Sequence, residues 1–238
     1  MRFYLQQSLH VGSTIDLSDE VIRHLQVLRL QPGAKITLFN GDGCDYRAEL
    51  HSLEKRRAQA RVSERLAGLA ESPLRLHLAL VMSKGDRLDW ALQKATELGV
   101  HAIHLLSSER CEVRLREEDR RERKLQHWRQ ILISACEQCG RSVLPALSAP
   151  LSLAEHLRTH SRPGYILDPR ADDALAAPPE HAEIELLVGP EGGFSAAELR
   201  LAEEHAYRGL RLGPRILRTE TAPLVALSIL QHRYGDLG

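Results

Sequence analysis

The chain has 238 residues with an ordinary globular composition, 43% hydrophobic and 27% charged, and its 32 basic and 32 acidic side chains cancel. The length allows one large domain or a small domain followed by a medium one. No apolar run approaches the roughly 18 residues of a membrane-spanning helix.

The first seventy residues predict a small β-rich domain. The predicted elements are a helix at 18–28 and strands at 35–40, at 44–50 and from 58 onward. The helix has apolar residues on one face, with Ser18 or Asp19 as its N-cap. A turn signal, Gly41-Asp42-Gly43, joins the first two strands. Short strands separated by turns favour a small β-barrel over residues 1–70.

The sequence changes character after Glu71-Ser72-Pro73, where strands begin to alternate with helices. Asp86 is the predicted N-cap of the first of these helices. This alternation favours an α/β domain over residues 74–238, with a mostly parallel sheet covered on both faces. The strands are predicted at 74–82, 100–106, 164–168, 184–188 and 210–212, and the helices at 86–98, 119–139, 152–159, 195–206 and 221–233.

Cysteines and histidines give no metal-site pattern. Four cysteines are too few for a disulfide framework in a chain of this length, so a reducing cytoplasm is expected. Cys136 and Cys139 have no second cysteine pair to complete a zinc site. His101 and His104 lie three residues apart in an apolar strand, where their rings point to opposite faces. We therefore expect no bound metal.

A glycine-rich turn follows the predicted strand 184–188. Gly189-Pro190-Glu191-Gly192-Gly193 forms the turn, and Ser195 with Glu198 makes a capping box for the next helix. Glycines just beyond a strand let a ligand approach the backbone, and small molecules bind at the carboxyl ends of parallel strands. An ordinary tight connection between strand and helix is the alternative.

The spacing of this turn excludes two common nucleotide motifs. It is not G-x-G-x-x-G, and Pro190 removes an N–H group that the dinucleotide loop would present. No Gly-Lys-Ser/Thr follows, so it is not a phosphate-binding P-loop. A ligand without phosphates is favoured.

A second polar loop leads into the last helix. Gly213-Pro214 and the residues up to Thr221 connect the short strand to that helix, with Thr219 or Thr221 as the predicted N-cap. Arg218 and Glu220 are a candidate ion pair. A solvated cap is the alternative, but two such loops at strand ends favour a binding site.

The two loops, GPEGGFS and LGPRILRTETA, resemble the signature loops of the SPOUT superfamily, and more closely those of the RsmE family of 16S rRNA uridine N3-methyltransferases. The resemblance continues through essentially the whole chain, in the family's order. The further matching segments are HLQVLRL, FNGDG, VMSKGDRLDWALQKATELGV, SERCEV and ACEQCGR.

The resemblance implies an N-terminal PUA-like β-barrel that binds RNA and a C-terminal α/β domain tied in a trefoil knot. Its knot-forming loops would hold S-adenosyl-L-methionine. Asp168 and Pro169 would lie near this site. The cofactor-binding residues it implies are Leu167, Gly189, Pro190, Glu191, Gly192, Leu212, Gly213, Ile216, Leu217, Arg218 and Thr221.

The resemblance also implies the reaction, a homodimer and a partner, 16S rRNA of the small ribosomal subunit. Arg218 is the candidate for stabilising charge on the uracil ring, with Glu220 first and Glu191 second as the base that removes the N3 proton. Structural roles for both glutamates are equally open. Helices 119–139 and 221–233 are the expected dimer interface. The candidate RNA-binding residues are Arg23, His24, Arg29, Glu137, Gln138 and Arg141.

Two other functions are alternatives. A non-catalytic RNA-binding adaptor would not need both loops, 189–193 and 213–221. A nucleotide-dependent oxidoreductase would need a glycine fingerprint and a ribose-binding acid, and the sequence has neither.

Overall fold

The computed structural model describes residues 1–113, 115, 117–160, 162–171 and 183–238. It divides into two compact units. The first unit consists of Met1–Glu71 and Ile133–Leu144, and the second of Ser72–Leu132 and Pro145–Gly238. The predicted domains, 1–70 and 74–238, assigned residues 133–144 to the second.

The first unit is built on a five-stranded sheet in the order β1-β3-β4-β5-β2. Alternating residues of β4 are buried, as expected for a strand with one face on a core. Ser18 begins α1 by accepting a hydrogen bond from the Val21 amide at 3.4 Å, and Val21, Ile22 and Leu25 are buried. The elements are β1 (Arg2–Tyr4), β2 (Thr14–Asp16), α1 (Asp19–Val27), β3 (Lys35–Phe39), β4 (Cys44–Leu53) and β5 (Ala58–Ala67).

The second unit contains a six-stranded sheet in the order β11-β9-β10-β6-β7-β8, and every neighbouring pair in it is parallel. The predicted mostly parallel α/β fold is therefore confirmed. Its elements are β6 (Arg75–Val81), α2 (Asp86–Glu97), β7 (Ala102–Ser107), α3 (Glu118–Cys139, which continues into the first unit), β8 (Ala146–Ser152), α4 (Leu153–Thr159), β9 (Gly164–Leu167), β10 (Glu183–Val188), α5 (Ala196–Glu204), β11 (Tyr207–Leu210) and α6 (Thr221–Tyr234).

The short strand predicted at 210–212 was misplaced, because β11 spans Tyr207–Leu210. Tyr207 and Leu210 are buried, and all four residues pair with β9. The exposed Arg211 lies beyond the paired segment. Pairing with β9, rather than the local apolar pattern, sets the strand's position.

Two predicted helix caps were also wrong. Gly85 is the N-cap of α2, and Asp86 is its first helical residue without a side-chain capping bond. At α6 the N-cap is Glu220, again without a side-chain bond, because the Arg218 carbonyl accepts from the amides of Thr221 and Ala222 at 2.9 Å. Backbone groups satisfy the first turn, so a hydroxyl cap is not needed.

The predicted ion pair between Arg218 and Glu220 is not formed. Glu220 instead accepts a hydrogen bond from the Thr219 hydroxyl at 3.3 Å. None of the described helices combines the length and apolar character that crossing a membrane requires.

Candidate functional site

A cavity of about 410 Å³ lies at the carboxyl ends of three neighbouring strands of the second unit. The last residues of β9, β10 and β11, which are Leu167, Val188 and Leu210, all line it. Its volume is in the range of small-molecule pockets. The remaining lining residues are Arg87, Asp168, Pro169, Gly189, Pro190, Glu191, Gly193, Phe194, Leu212, Gly213, Arg215, Ile216, Leu217, Arg218, Thr219, Glu220 and Ala222.

The loop after β10 is shaped by its glycines and by Phe194. A Cβ atom on Gly189 would lie 2.9 Å from the Phe194 ring, which is only 5% exposed, so no side chain fits there. Gly193 has φ +65° and its amide donates to the Pro190 carbonyl at 2.8 Å, closing a tight turn. The glycines therefore allow a buried aromatic ring to support the floor of the cavity.

Glu198, on the helix that follows the loop, holds the end of the loop in place through hydrogen bonds. Its carboxylate accepts from the Ser195 amide and from the Glu109 amide, both at 2.8 Å, and it is 7% exposed. Arg110, next in the chain, donates to the Gly192 carbonyl at 2.7 Å. One buried carboxylate thus joins the start of α5 to the segment that follows β7.

The second wall is the loop between β11 and α6. Gly213 has φ +83°, a conformation that side chains other than glycine adopt with strain. Leu212 and Leu217 are partly buried, whereas Ile216 is 86% exposed at the edge of the cavity. An isoleucine so exposed beside a pocket is suited to covering an apolar part of a ligand.

The charged residues that line the cavity differ in their partners. Glu191 is paired with Arg87 at 3.0 Å, and both side chains are nearly half exposed. Among the described residues, Glu220 has the hydroxyl of Thr219 as its one partner. Arg218 is exposed. The Glu191 carboxylate is therefore already neutralised by a cation, while that of Glu220 is not.

The structure brings most of the predicted cofactor-binding residues together around this cavity, with two exceptions. Gly192 lines an adjoining depression with Lys84 and Arg110, and Thr221 is the first residue of α6 and does not line the cavity. Sequence reasoning missed Arg87 and Phe194. Arg87 lies in the quoted segment VMSKGDRLDW, but its sequence position gives no sign that it reaches Glu191.

The predicted RNA-binding residues lie in the first unit and fall into two groups. Arg23, His24, Arg29 and Gln138 are exposed. The other two are less exposed: Glu137 accepts from the Tyr4 amide at 3.0 Å, and Arg141, only 4% exposed, is paired with Glu71. The exposed His24 also lies 4.0 Å from Glu137 and packs against the Phe3 ring.

Family models match both parts of the chain. An RNA methyltransferase domain matches residues 70–231, and an RNA methyltransferase PUA domain matches residues 17–63. The ribosomal RNA small subunit methyltransferase E of Buchnera aphidicola is 33% identical, covering 99% of this chain and 97% of that protein. Its namesake from Bacillus subtilis is 30% identical, with coverages of 98% and 96%.

The chain belongs to the ribosomal RNA small subunit methyltransferase E family. The predicted resemblance to RsmE proteins and the predicted PUA-like N-terminal domain are thus confirmed. A solved RsmE structure from Neisseria gonorrhoeae, bound to S-adenosylmethionine, superposes with a TM-score of 0.93. It is 41% identical and covers 100% of this chain and 99% of that one.

Proposed function

We propose that the protein transfers a methyl group from S-adenosyl-L-methionine to N3 of a specific uridine in 16S ribosomal RNA. The observation that carries this proposal is the cavity formed by the ends of β9, β10 and β11 together with the loops 189–193 and 213–221. Family membership supplies the reaction class, and the N. gonorrhoeae relative supplies the identity of the cofactor.

The residues of the cavity fit this cofactor. Apolar side chains such as Leu167, Leu212 and Leu217 suit an adenine ring, and glycine positions leave backbone groups open to polar atoms. Two carboxylates, Glu191 and Glu220, suit the positive charge of a sulfonium. When bound, S-adenosylmethionine supplies an electrophilic methyl group.

Uracil N3 must lose its proton to act as a nucleophile, and Glu220 is the best-placed acceptor. Its carboxylate lines the cavity and has no cationic partner among the described residues. The Glu191 carboxylate is instead held by Arg87 at 3.0 Å. In this proposal Glu191 and Arg87 shape the site and Glu220 accepts the proton.

Arg218 completes the chemistry by stabilising negative charge that develops on the uracil oxygens. It lines the same cavity and is exposed, so an incoming base can reach it. N3 lies on the Watson–Crick edge, so the target uridine must be unpaired or flipped out of its helix.

RNA recognition belongs, in this proposal, to the first unit. The exposed residues Arg23, His24, Arg29 and Gln138 can contact phosphates and bases. Glu137 and Arg141 support the surface through their partners Tyr4 and Glu71. We further propose that the second unit carries the trefoil knot of the superfamily, that the protein is a homodimer and that it acts in the cytoplasm on the small ribosomal subunit.

The decisive experiment is mass spectrometry of nucleosides from ribosomal RNA of a strain lacking this gene. We expect loss of 3-methyluridine from 16S RNA, and its return when the intact gene, but not the Arg218→Ala variant, is supplied. An unchanged amount of 3-methyluridine in the deletion strain would refute the substrate assignment. Loss of a different methylated nucleoside would replace uridine N3 with that nucleoside as the assigned target.

A further inference from the structure

A cluster of four histidines lies in the second unit, away from the cofactor cavity. The sheet positions it through register, because Tyr207, Gly164, Glu185 and His77 lie side by side on β11, β9, β10 and β6. The next position of this row is Ala102 on β7, and His104 lies two residues further along that strand. Helix α4 contributes His156, and His160 is the C-cap residue of that helix.

Part of the cluster is fully buried, and this part contains a carboxylate. Glu185 and His156 are fully buried, and His77 is 4% exposed. Gly164 makes this arrangement possible, since a Cβ atom there would lie 2.5 Å from the Tyr207 ring. Tyr207 therefore extends across the neighbouring strand and donates its hydroxyl to Glu185 Oε1 at 2.5 Å.

The hydrogen bonds of His156 determine which of its nitrogens carries the proton. Nε2 of His156 lies 2.5 Å from Glu185 Oε1, so it is the protonated, donating nitrogen. Nδ1 of His156 is left as a buried acceptor without a hydrogen-bond partner.

His104 also has a buried nitrogen without a partner. Its Nε2 lies 3.5 Å from Nδ1 of His77, whose Nε2 lies 2.7 Å from the Glu183 carboxylate. Nδ1 of His104 is buried and has no hydrogen-bond partner among the described residues.

His160 supplies a third nitrogen. Its Nδ1 lies 3.1 Å from the His156 carbonyl and 3.0 Å from the Thr159 hydroxyl, which makes Nδ1 the donor and leaves Nε2 with its lone pair. The rings of His156 and His160 stack at 4.3 Å, and that of His104 lies 5.0 Å from each. Three imidazole rings thus converge, and Nδ1 of His104 and Nδ1 of His156 are both buried without a hydrogen-bond partner among the described residues.

We propose that His104, His156 and His160 form a binding site for a divalent transition metal, with Zn²⁺ as the best-suited ion. One nitrogen from each ring lies within 4.8 Å of the other two. Tetrahedral zinc, with Zn–N bonds of about 2.0 Å, needs nitrogens about 3.3 Å apart, so the rings must close by a small movement. His160 can provide it, since it follows the last residue of α4 and is only partly buried.

Glu185 fits the role of an orienting group for one of the ligands. A histidine that binds a metal commonly donates its other nitrogen to a carboxylate, which fixes the ring and increases its basicity. His77, His104 and Glu185 form a second possible grouping. It is less suitable, because Glu185 Oε1 already accepts hydrogen bonds from His156 and Tyr207.

The site has a structural role. His77 and Glu185 are the third residues of β6 and β10, so the cluster lies toward the amino ends of strands whose carboxyl ends form the cofactor cavity. A metal there joins α4 to the sheet and does not contact the reacting atoms. Binding should stabilise the folded chain, because the unfolded chain does not hold these residues together.

The test uses the full chain without a histidine tag, stripped with a chelator. Zn²⁺ is titrated against a fluorescent chelator, and Co²⁺ is followed by visible absorption. We expect one Zn²⁺ per chain, a tetrahedral Co²⁺ spectrum and a higher melting temperature with zinc. His160→Ala should weaken zinc binding by more than about 100-fold, and Glu185→Gln by about 10- to 100-fold.

His51→Ala is the matched control, because His51 is exposed on β4 of the first unit. It should leave zinc affinity unchanged. The variant His160→Ala removes a partly exposed side chain, and circular dichroism establishes that it folds. The proposal is overturned if the wild-type chain takes up no zinc, if His160→Ala binds as tightly as wild type, or if His51→Ala loses affinity equally.

Discussion

Glu191 and Glu220 line the same cavity but have different partners. Glu191 is held by Arg87 at 3.0 Å, whereas among the described residues Glu220 contacts the Thr219 hydroxyl and no cation. In the proposed mechanism, Glu191 therefore positions the site and Glu220 accepts the proton.

This difference predicts the effect of neutralising each glutamate. Glu220→Gln should lower the rate of methyl transfer in a single turnover by about 10²- to 10⁴-fold, the usual contribution of a general base. Glu191→Gln should retain most of the rate and weaken cofactor binding instead. Single-turnover transfer to 16S RNA and calorimetry with S-adenosylmethionine separate the two effects.

Glu203→Gln, at an exposed position of α5, is the control for the loss of one carboxylate. If Glu220→Gln and Glu191→Gln both bind cofactor and turn over at near the wild-type rate, general-base catalysis is excluded. The site would then act by alignment alone.

Burial makes Cys136 unreactive, although its spacing from Cys139 is that of a metal-binding or redox motif. Its side chain is fully buried and burial raises the pKa of its thiol to about 12. The thiol lies 3.7 Å from the Val143 carbonyl. Because thiolates are the reactive and metal-binding form, Cys136 behaves as a core residue beside Cys139.

At the scale of elements, two helices begin with the same capping box in different settings. Ser195 and Glu198 cap α5, and Ser152 and Glu155 cap α4. Glu198 is buried and also accepts from the Glu109 amide, whereas Glu155 is exposed and serves only its own helix. The capping box of α4 therefore stabilises the end of its own helix, whereas that of α5 also holds the loop that contains Glu109.

Glu198→Ala should consequently destabilise the protein far more than Glu155→Ala. The first leaves two backbone amides without their charged acceptor in a partly buried place, at a cost of about 2–3 kcal/mol. The second exposes its amide to water and costs much less. Urea unfolding of both variants measures the difference, and equal midpoints would show that the Glu109 contact contributes nothing.

For the whole molecule, α6 bears on the proposed homodimer. Several of its apolar side chains remain only partly buried in the single chain, including Leu224, Val225 and Ile229. The helix also begins immediately after the loop that contains Arg218 and Glu220. An interface on α6 would place a second subunit next to the cavity.

Sedimentation should give twice the chain mass of 26.7 kDa. Leu224→Glu should produce a folded monomer with little methyl transfer, because burying a charge in the interface is costly. Arg200→Glu, at an exposed position of α5, should remain dimeric. A wild-type chain that sediments as an active monomer would disprove the dimer.

Sequence by itself determined the family, the two kinds of domain, the six described helices, eight of the eleven described strands and both loops of the cavity; β1, β2 and β8 were missed. These depend on local patterns: apolar spacing in α2, alternation in β4, and glycines beyond β10. These patterns depend on residues close together in the chain, so they can be predicted from the sequence alone.

Only the tertiary structure decided which distant residues meet. Arg87 pairs with Glu191, and Glu198 holds Glu109, across separations that no local pattern encodes. The end of β11 was misplaced because its pairing with β9 sets its position. From the sequence, His104 was considered only together with His101, whereas helix α4 and its C-cap bring His156 and His160 close to His104. Parallel strands are joined through long crossovers, so their register is decided by packing of the whole sheet.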